Sequence, residues 1–256
     1  MKPAMSTSAW ALALLSLLPA PLTAQSLAEQ VRSAGDGTIR LSFAAREGVC
    51  SSGPGSITII GDRGDDSEWE RDCERGPVRV SLRMQGGRLT GSETYVGGRW
   101  RAAGDRVSDL GPVPAQEAAD LLLTLAAKTG GDGGGELVTA ATLADSVVVW
   151  PRLLRLARDR GVPEETRRQA VFWLGQAAGQ EAARGLDSIA ADGGGDIEIR
   201  KHAVFALSQR PADEGIPALI RIARANRHPE LRKTALFWLG QSEDPRALSL
   251  FEEILR

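Results

Sequence analysis

The spacing of apolar and polar residues changes from period two to a helical period about midway along the chain. Short stretches before residue 112 alternate apolar and polar side chains, as strands buried on one face do, namely residues 38–43, 56–60, 78–84, 88–96 and 100–107. Gly86 and Gly87 suit a tight hairpin turn between two of them. We therefore predict a small β-rich domain over residues 25–129 that ends in a helix.

Beyond residue 137 the apolar residues recur at helical spacing, and one seven-residue stretch occurs three times. The copies are residues 170–176, 203–209 and 235–241, with offsets of 33 (203−170) and 32 (235−203). A period in this range is typical of stacked helical hairpins. In the first copy, positions 166, 170, 173 and 174 form one predicted buried stripe, and the aligned positions of the other copies stay apolar.

A second helix is predicted beside each copy, with its own apolar phase. The matching sets are Trp150-Leu153-Leu156-Ala157, Ala183-Leu186-Ile189-Ala190, Ile216-Leu219-Ile222-Ala223 and Leu248-Phe251-Ile254-Leu255. The glycine-rich residues 130–136 are predicted to be a flexible linker, since glycine loses most entropy when ordered. The expected fold is therefore α+β in two parts, a β-rich N-terminal domain followed by an all-α solenoid over residues 137–256.

The repeated pattern resembles a known family. Each copy reads [Ile/Leu/Thr]-Arg-x-x-Ala-x-x-[Trp/Ala]-Leu-[Gly/Ser] and precedes a short turn and a second apolar helix. This is similar to bacterial HEAT repeats of the phycobilisome-lyase-like type, over about residues 137–256. The resemblance implies an α-solenoid whose second helices line a concave face that commonly binds other proteins. No bilin-binding motif accompanies it, and residues 25–129 resemble no family that we recognise.

The first 24 residues have the form of a signal peptide. Lys2 precedes an apolar run over residues 9–18, and small residues precede Gln25. A membrane anchor is the alternative, although the run is shorter than the about 20 residues that span a bilayer. We therefore expect an exported protein, periplasmic or secreted, with no membrane span after cleavage.

Two cysteines, Cys50 and Cys73, are present in a chain that is expected to be exported. A zinc site would need nearby histidines, and a redox motif would need closer spacing. A structural disulfide is therefore predicted to tie the β-rich domain.

Charge and motifs exclude several classes of function. Without residues 1–24 the chain has 30 basic (31−1) and 33 acidic residues, a formal charge of −3, which argues against bulk attraction to nucleic acid. The chain has no His-Glu-x-x-His motif, nucleophile elbow or phosphate-binding loop, so no catalytic residue, cofactor or metal site is predicted.

Three sets of side chains are candidates for binding. Arginines at aligned outward positions of the second helices predict a modest basic ridge, which an acidic partner surface would complement, namely Arg155, Arg158, Arg221, Arg224 and Arg256, with Ser188 in the same row. Phe172, Phe205 and Phe237 occupy one phase of the first helices, where packing between repeats is favoured over an aromatic ladder for a partner. In the β-rich domain, Tyr95 and Trp100 mark either a ligand-facing sheet edge or local packing.

These observations predict an exported, non-catalytic scaffold that binds a protein of unknown identity through the concave face of its solenoid. The alternative is an envelope ligand sensor, in which the β-rich domain binds a ligand and the solenoid transmits the signal or oligomerises.

Overall fold

The computed structural model of this protein describes residues 25–53, 56–59, 73–177 and 179–256. The predicted signal peptide, residues 1–24, lies outside the described residues. Over the residues that are described, no helix combines the length and the apolar character needed to cross a membrane.

The N-terminal region is organised around a β-sheet. Its elements are α1 (Leu27–Ser33), β1 (Gly37–Phe43), β2 (Val49–Cys50), β3 (Thr58–Ile59), β4 (Val78–Gln85), β5 (Arg88–Val96) and β6 (Val107–Pro112). Four strands form one sheet with the order β5-β4-β1-β6. Strand β1 runs antiparallel to β4 and parallel to β6, while β2 and β3 form a separate ribbon. Gly86 and Gly87, with positive φ angles of 57° and 70°, form the turn of the β4–β5 hairpin, which confirms the predicted turn.

The predicted disulfide between Cys50 and Cys73 is confirmed, with Cα atoms 5.4 Å apart. Next to it, Ser51 and Glu74 pair through two backbone hydrogen bonds of 2.9 and 2.7 Å. A bridge that closes a loop of this length stabilises a fold by about 3 kcal/mol on the chain-entropy account. The bridge and the backbone pair therefore join residues 50–51 to residues 73–74, which lead into β4.

The rest of the chain forms helical hairpins that stack in two rows. The helices are α2 (Ala115–Ala126), α3 (Asp132–Thr142), α4 (Trp150–Arg158), α5 (Glu164–Gln176), α6 (Gln180–Ala191), α7 (Ile197–Ser208), α8 (Ala212–Ala225), α9 (Pro229–Gly240) and α10 (Pro245–Ile254). Helices α3, α5, α7 and α9 pack in sequence and are called the first-helix row. Helices α4, α6, α8 and α10 do the same and are called the second-helix row. Together they confirm the predicted helical solenoid.

The predicted buried stripe of the first helices is correct. Thr166, Ala170 and Leu174 are fully buried in α5, and Trp173 is 8% exposed. The predicted phase is wrong for α10, however, because this helix buries Ala247 and Leu250. Leu248, Ile254 and Leu255, predicted to be buried, are 59%, 56% and 86% exposed. The main contacts of helix α10 are with α8 and α9, and they cover fewer of its positions than are covered in the other second helices.

The prediction of a flexible linker at residues 130–136 is wrong. Helix α3 begins at Asp132, and Gly134 and Gly135 are buried within its first turns. A Cβ atom on Gly134 would lie 2.0 Å from the Thr166 hydroxyl and 2.7 Å from the Thr129 carbonyl oxygen. Glycine is therefore needed here for the close approach of α3 to its neighbours and not for flexibility.

The predicted domain boundary at this point is also wrong, because one hydrophobic core joins the sheet to the helices. Helix α3 packs against β5, and the Ser92 hydroxyl donates to the Glu136 carboxylate at 2.9 Å. The backbone N–H of Arg46 also donates to the Leu143 carbonyl at 2.8 Å. Helix α2 pairs with α3 and supplies Leu121 and Leu122 to the same core. The sheet thus closes the start of the helical stack.

Candidate protein-binding faces

Arg158, Arg221 and Arg224 of the predicted basic ridge contact side chains of neighbouring helices. These contacts and a similar one made by Arg152 are here called the arginine ladder. Its members are Arg152–Asp120, Arg158–Ser188, Arg221–Asp187 and Arg224–Glu253, which join α4 to α2, α4 to α6, α8 to α6 and α8 to α10. Positions on stacked helices face one another, so a polar or acidic side chain of a neighbouring helix comes within reach of each arginine. Three of the four arginines are therefore paired with carboxylates.

Arg155 and Arg256 are the two predicted ridge residues outside this ladder. Both are exposed, and neither takes part in an ion pair among the described residues. The ladder pairs themselves are exposed and worth little in stability, typically about 0–1 kcal/mol. The second-helix row thus presents balanced charge along most of its length instead of a continuous cationic ridge.

The first-helix row carries the exposed aromatic residues. Phe172, Phe205 and Phe237, here called the Phe stripe, are 43%, 37% and 58% exposed. The expectation that they are buried between repeats is therefore wrong, although Phe205 contacts Trp238 of the next repeat. A residue two positions after a buried alanine lies about 200° further round the helix, which turns it away from the core. Trp173 is buried as predicted, whereas Trp238 is only partly buried.

The Phe stripe is held in place by the tryptophans beside it. Phe172 meets Trp173 edge to face with ring centroids 5.3 Å apart, and Phe237 meets Trp238 in the same way at 5.0 Å. Phe205 reaches across to Trp238 of the next repeat, also at 5.0 Å. Such aromatic pairs are favourable contacts, so the rings are positioned even though they are exposed.

A cavity of about 290 Å³ lies between α5 and α7, with Phe172 and Phe205 among its lining residues. Its polar lining includes Gln169, Gln176 and Gln209. In each repeat an exposed glutamine follows the phenylalanine by four residues, at positions 176, 209 and 241. Residues four apart are neighbours on one helix face, so each repeat displays an apolar ring next to an amide that both donates and accepts hydrogen bonds.

Two buried arginines of the repeats, Arg167 and Arg200, were missed as structural residues by the sequence reasoning. Arg167 donates to the Val162 carbonyl at 3.1 Å and to Asp196 at 3.2 Å, and Arg200 donates twice to the Ala190 carbonyl at 3.1 Å. The signal was available, because an arginine stands at the same position of every copy in a Glu-x-Arg triplet. These arginines fasten each turn to the next repeat.

Arg210 has a similar role after α7. It donates to the carbonyls of Gly175 and Gly179 at 3.1 and 3.0 Å and also to Ala177. Its guanidinium forms an ion pair with Glu214 in the first turn of α8. The turn between α5 and α6 is thereby tied to the turn between α7 and α8.

Two aspartates near turns of the helical stack have lowered pKa values because nearby groups donate hydrogen bonds to them. The backbone N–H of Glu198 and, less strongly, the Arg167 guanidinium hold the pKa of Asp196 below its ordinary value. The side chain and backbone N–H of Arg246 lower the pKa of Asp244 to about 2. Both aspartates cap helices, α7 and α10, and remain charged at neutral pH.

The described residues contain no group of three or more histidine, cysteine, aspartate or glutamate side chains that could hold a metal ion. His202 lines the cavity of the Phe stripe, and its Nδ1 lies 3.0 Å from the Glu198 carbonyl of its own helix.

Comparison with known proteins supports the helical part of this description. Residues 188–256 match the family described as HEAT repeats, a region that runs from the end of α6 to α10. No curated protein matches the chain. The preceding hairpins continue the same two rows of helices towards the sheet. Residues 188–256 are therefore identified as HEAT repeats, and the hairpins before them continue the same helical stack.

Proposed function

We propose that this chain is an exported, non-catalytic scaffold whose HEAT repeats bind a protein partner. HEAT repeats generally mediate protein interactions, since stacked hairpins provide long, rigid surfaces. Export is supported by the signal-like residues 1–24 and by the Cys50–Cys73 disulfide, because disulfides persist in oxidising compartments. A rigid surface loses little conformational entropy on binding.

The Phe stripe is the observation that carries this proposal. Three phenylalanines in consecutive repeats are exposed by 37–58% in one line along the first-helix row. Aromatic residues are enriched in binding interfaces, and apolar patches rimmed by polar groups mark interaction sites. Here the rim is formed by glutamines, which can pair with the polar groups of a partner.

The spacing of the Phe stripe favours an amphipathic helix as the partner segment. Neighbouring packed helices lie about 8–10 Å apart, so successive phenylalanines are separated by a similar distance. Apolar residues seven apart on an α-helix are about 10.5 Å apart along its axis, at 1.5 Å per residue. A helix laid across α5, α7 and α9 would therefore place an apolar side chain near each ring.

The arginine ladder is less favourable as the binding face than the sequence predicted. Arg221 and Arg224 already contact Asp187 and Glu253, so an acidic partner would have to compete with these carboxylates. We therefore place the partner on the first-helix row.

Full-chain variants distinguish the two faces. Phe172→Ser, Phe205→Ser and Phe237→Ser are combined in one variant, and Arg155→Glu, Arg221→Glu and Arg224→Glu in a matched one. Each is immobilised beside the wild type, and proteins retained from an envelope extract are quantified by mass spectrometry. We expect a protein that is retained by the wild type and the arginine variant and lost from the Phe variant.

Retention that survives in the Phe variant would overturn the assignment of the first-helix row. Loss in the arginine variant alone would instead return the binding site to the second helices. Both variants must first show the circular dichroism spectrum of the wild type. We expect them to do so, because the altered side chains are at least one third exposed.

A further inference from the structure

The outer face of the four-stranded sheet forms a groove that the scaffold function does not use. Ile39 and Leu41 of β1 face the core, so the intervening Arg40 faces the opposite side. Arg40 lies opposite Ser81 of β4, and Ser81 lies opposite Glu93 of β5. The loop after β5 and three residues next to the disulfide, Ser51, Gly53 and Glu74, complete the described lining of this sheet groove, whose volume is about 580 Å³. Ligand pockets commonly have volumes of about 300–1,000 Å³.

The aromatic and cationic side chains of the sheet groove hold one another in position. The Arg40 guanidinium lies 4.8 Å from the ring centroid of Trp100, and it donates to the Arg101 carbonyl at 2.9 Å. Tyr95 meets Trp100 edge to face with ring centroids 5.8 Å apart. The Arg79 Nε donates to the Gly97 carbonyl at 3.0 Å. Both Arg79 Nη groups remain without a partner among the described residues.

The charge of the sheet groove is predominantly positive. Its described lining holds four arginines, at positions 40, 79, 99 and 101, and two glutamates, Glu74 and Glu93. Glu93 accepts from the Tyr95 hydroxyl at 2.7 Å and from Arg83 at 2.9 Å, so its charge is already matched. Those two hydrogen bonds, that of Tyr95 first, lower the pKa of Glu93 and keep it charged. Glu74 accepts from the backbone N–H of Gly98 at 2.7 Å.

We propose that the sheet groove is a binding site for a carboxylate ligand with a flat apolar part. The guanidinium groups of Arg79, Arg99 and Arg101 would hold the carboxylate, since arginine presents a planar fork that matches two oxygens. The apolar part lies against Trp100 and Tyr95. This site is separate from the Phe stripe, so neither proposal depends on the other.

Calorimetric titration of the full chain with naphthoate, a carboxylate on an aromatic ring system, tests this site. The uncharged naphthamide serves as the matched ligand. The groove variant combines Arg99→Gln with Arg101→Gln, and the control variant combines Arg88→Gln with Arg106→Gln, which are exposed and outside the groove. We expect naphthoate to bind the wild type and the control alike, and the groove variant and naphthamide to show at least about tenfold weaker binding.

The inference is overturned by an absence of naphthoate binding to the wild type, by equal weakening in both variants or by equal binding of naphthamide. A second titration with a hexaglutamate peptide, which has carboxylates but no flat apolar part, tests the role of Trp100 and Tyr95. Binding of naphthoate more tightly than of the peptide would support the proposed ligand class. Tighter binding of the peptide, lost in the groove variant, would overturn the requirement for a flat apolar part.

Discussion

Replacing Arg210 with alanine is expected to lower the free energy of unfolding by about 3–5 kcal/mol, because it removes one partner of a buried ion pair. The Arg210 side chain is 5% exposed and that of Glu214 is 16% exposed. The substitution leaves this carboxylate without its cation. It also removes the donor to three carbonyl oxygens at the turn between α5 and α6. Equilibrium unfolding in urea, followed by circular dichroism, measures the loss.

Arg224→Ala is the matched control. Arg224 also joins two repeats, through Glu253 of α10, but the two side chains are 53% and 62% exposed. Water can replace this contact, so the unfolding midpoint of the variant should stay close to that of the wild type. If the two variants were equally destabilised, burial would not be the reason for the importance of Arg210.

Trp173→Ala is expected to cost about 3–5 kcal/mol, whereas Phe172→Ala, one position away, should cost only about 1 kcal/mol. Trp173 is 8% exposed and its ring N–H donates to the Thr139 hydroxyl at 3.1 Å, so alanine leaves a cavity between α5 and α3. Phe172 is 43% exposed and leaves no enclosed space. Urea unfolding of both variants compares the two positions directly, and equal losses would contradict the exposed placement of the Phe stripe.

Sequence periodicity was sufficient to predict the register of the repeats. The stripe that contains Ala170 and Leu174 is buried as expected, and so are Leu153, Leu186 and Leu219 in the second helices. The disulfide also followed from the sequence, since two cysteines after a signal-like N-terminal stretch leave few alternatives. These features depend on local spacing or on composition, which a single sequence contains.

The errors concern contacts between distant residues. The glycine-rich sequence around Gly134 predicts a linker because glycine favours flexibility. The reason for glycine at this position is the close contact with Thr166, which lies on the next helical pair. Arg221 and Arg224 were assigned to a ridge because the carboxylates that pair with them lie 34 and 29 residues away in sequence. Spacing along one helix does not show which side chains face it from the next helix.

The phenylalanines show a different difficulty. Phe172 and Phe205 lie between buried residues, and Phe237 lies between partly buried ones. A large apolar side chain is ordinarily expected inside. Helical geometry turns them outward, and that geometry was visible in the sequence. The preference of aromatic side chains for burial favours the wrong side here, and the angular position around the helix axis predicts the right one. An exposed aromatic residue at a repeated position is a signal of binding.

Photo-crosslinking from the Phe stripe tests the proposed scaffold function most directly. The full chain would carry benzoylphenylalanine in place of Phe172, Phe205 or Phe237, with Arg155 of the second-helix row as the control position. Irradiation in envelope extract is followed by identification of the crosslinked peptides. We predict that one protein crosslinks from all three phenylalanine positions, through residues of an amphipathic helix, and does not crosslink from position 155. Crosslinks from position 155 alone, or none from the Phe stripe, would contradict the account.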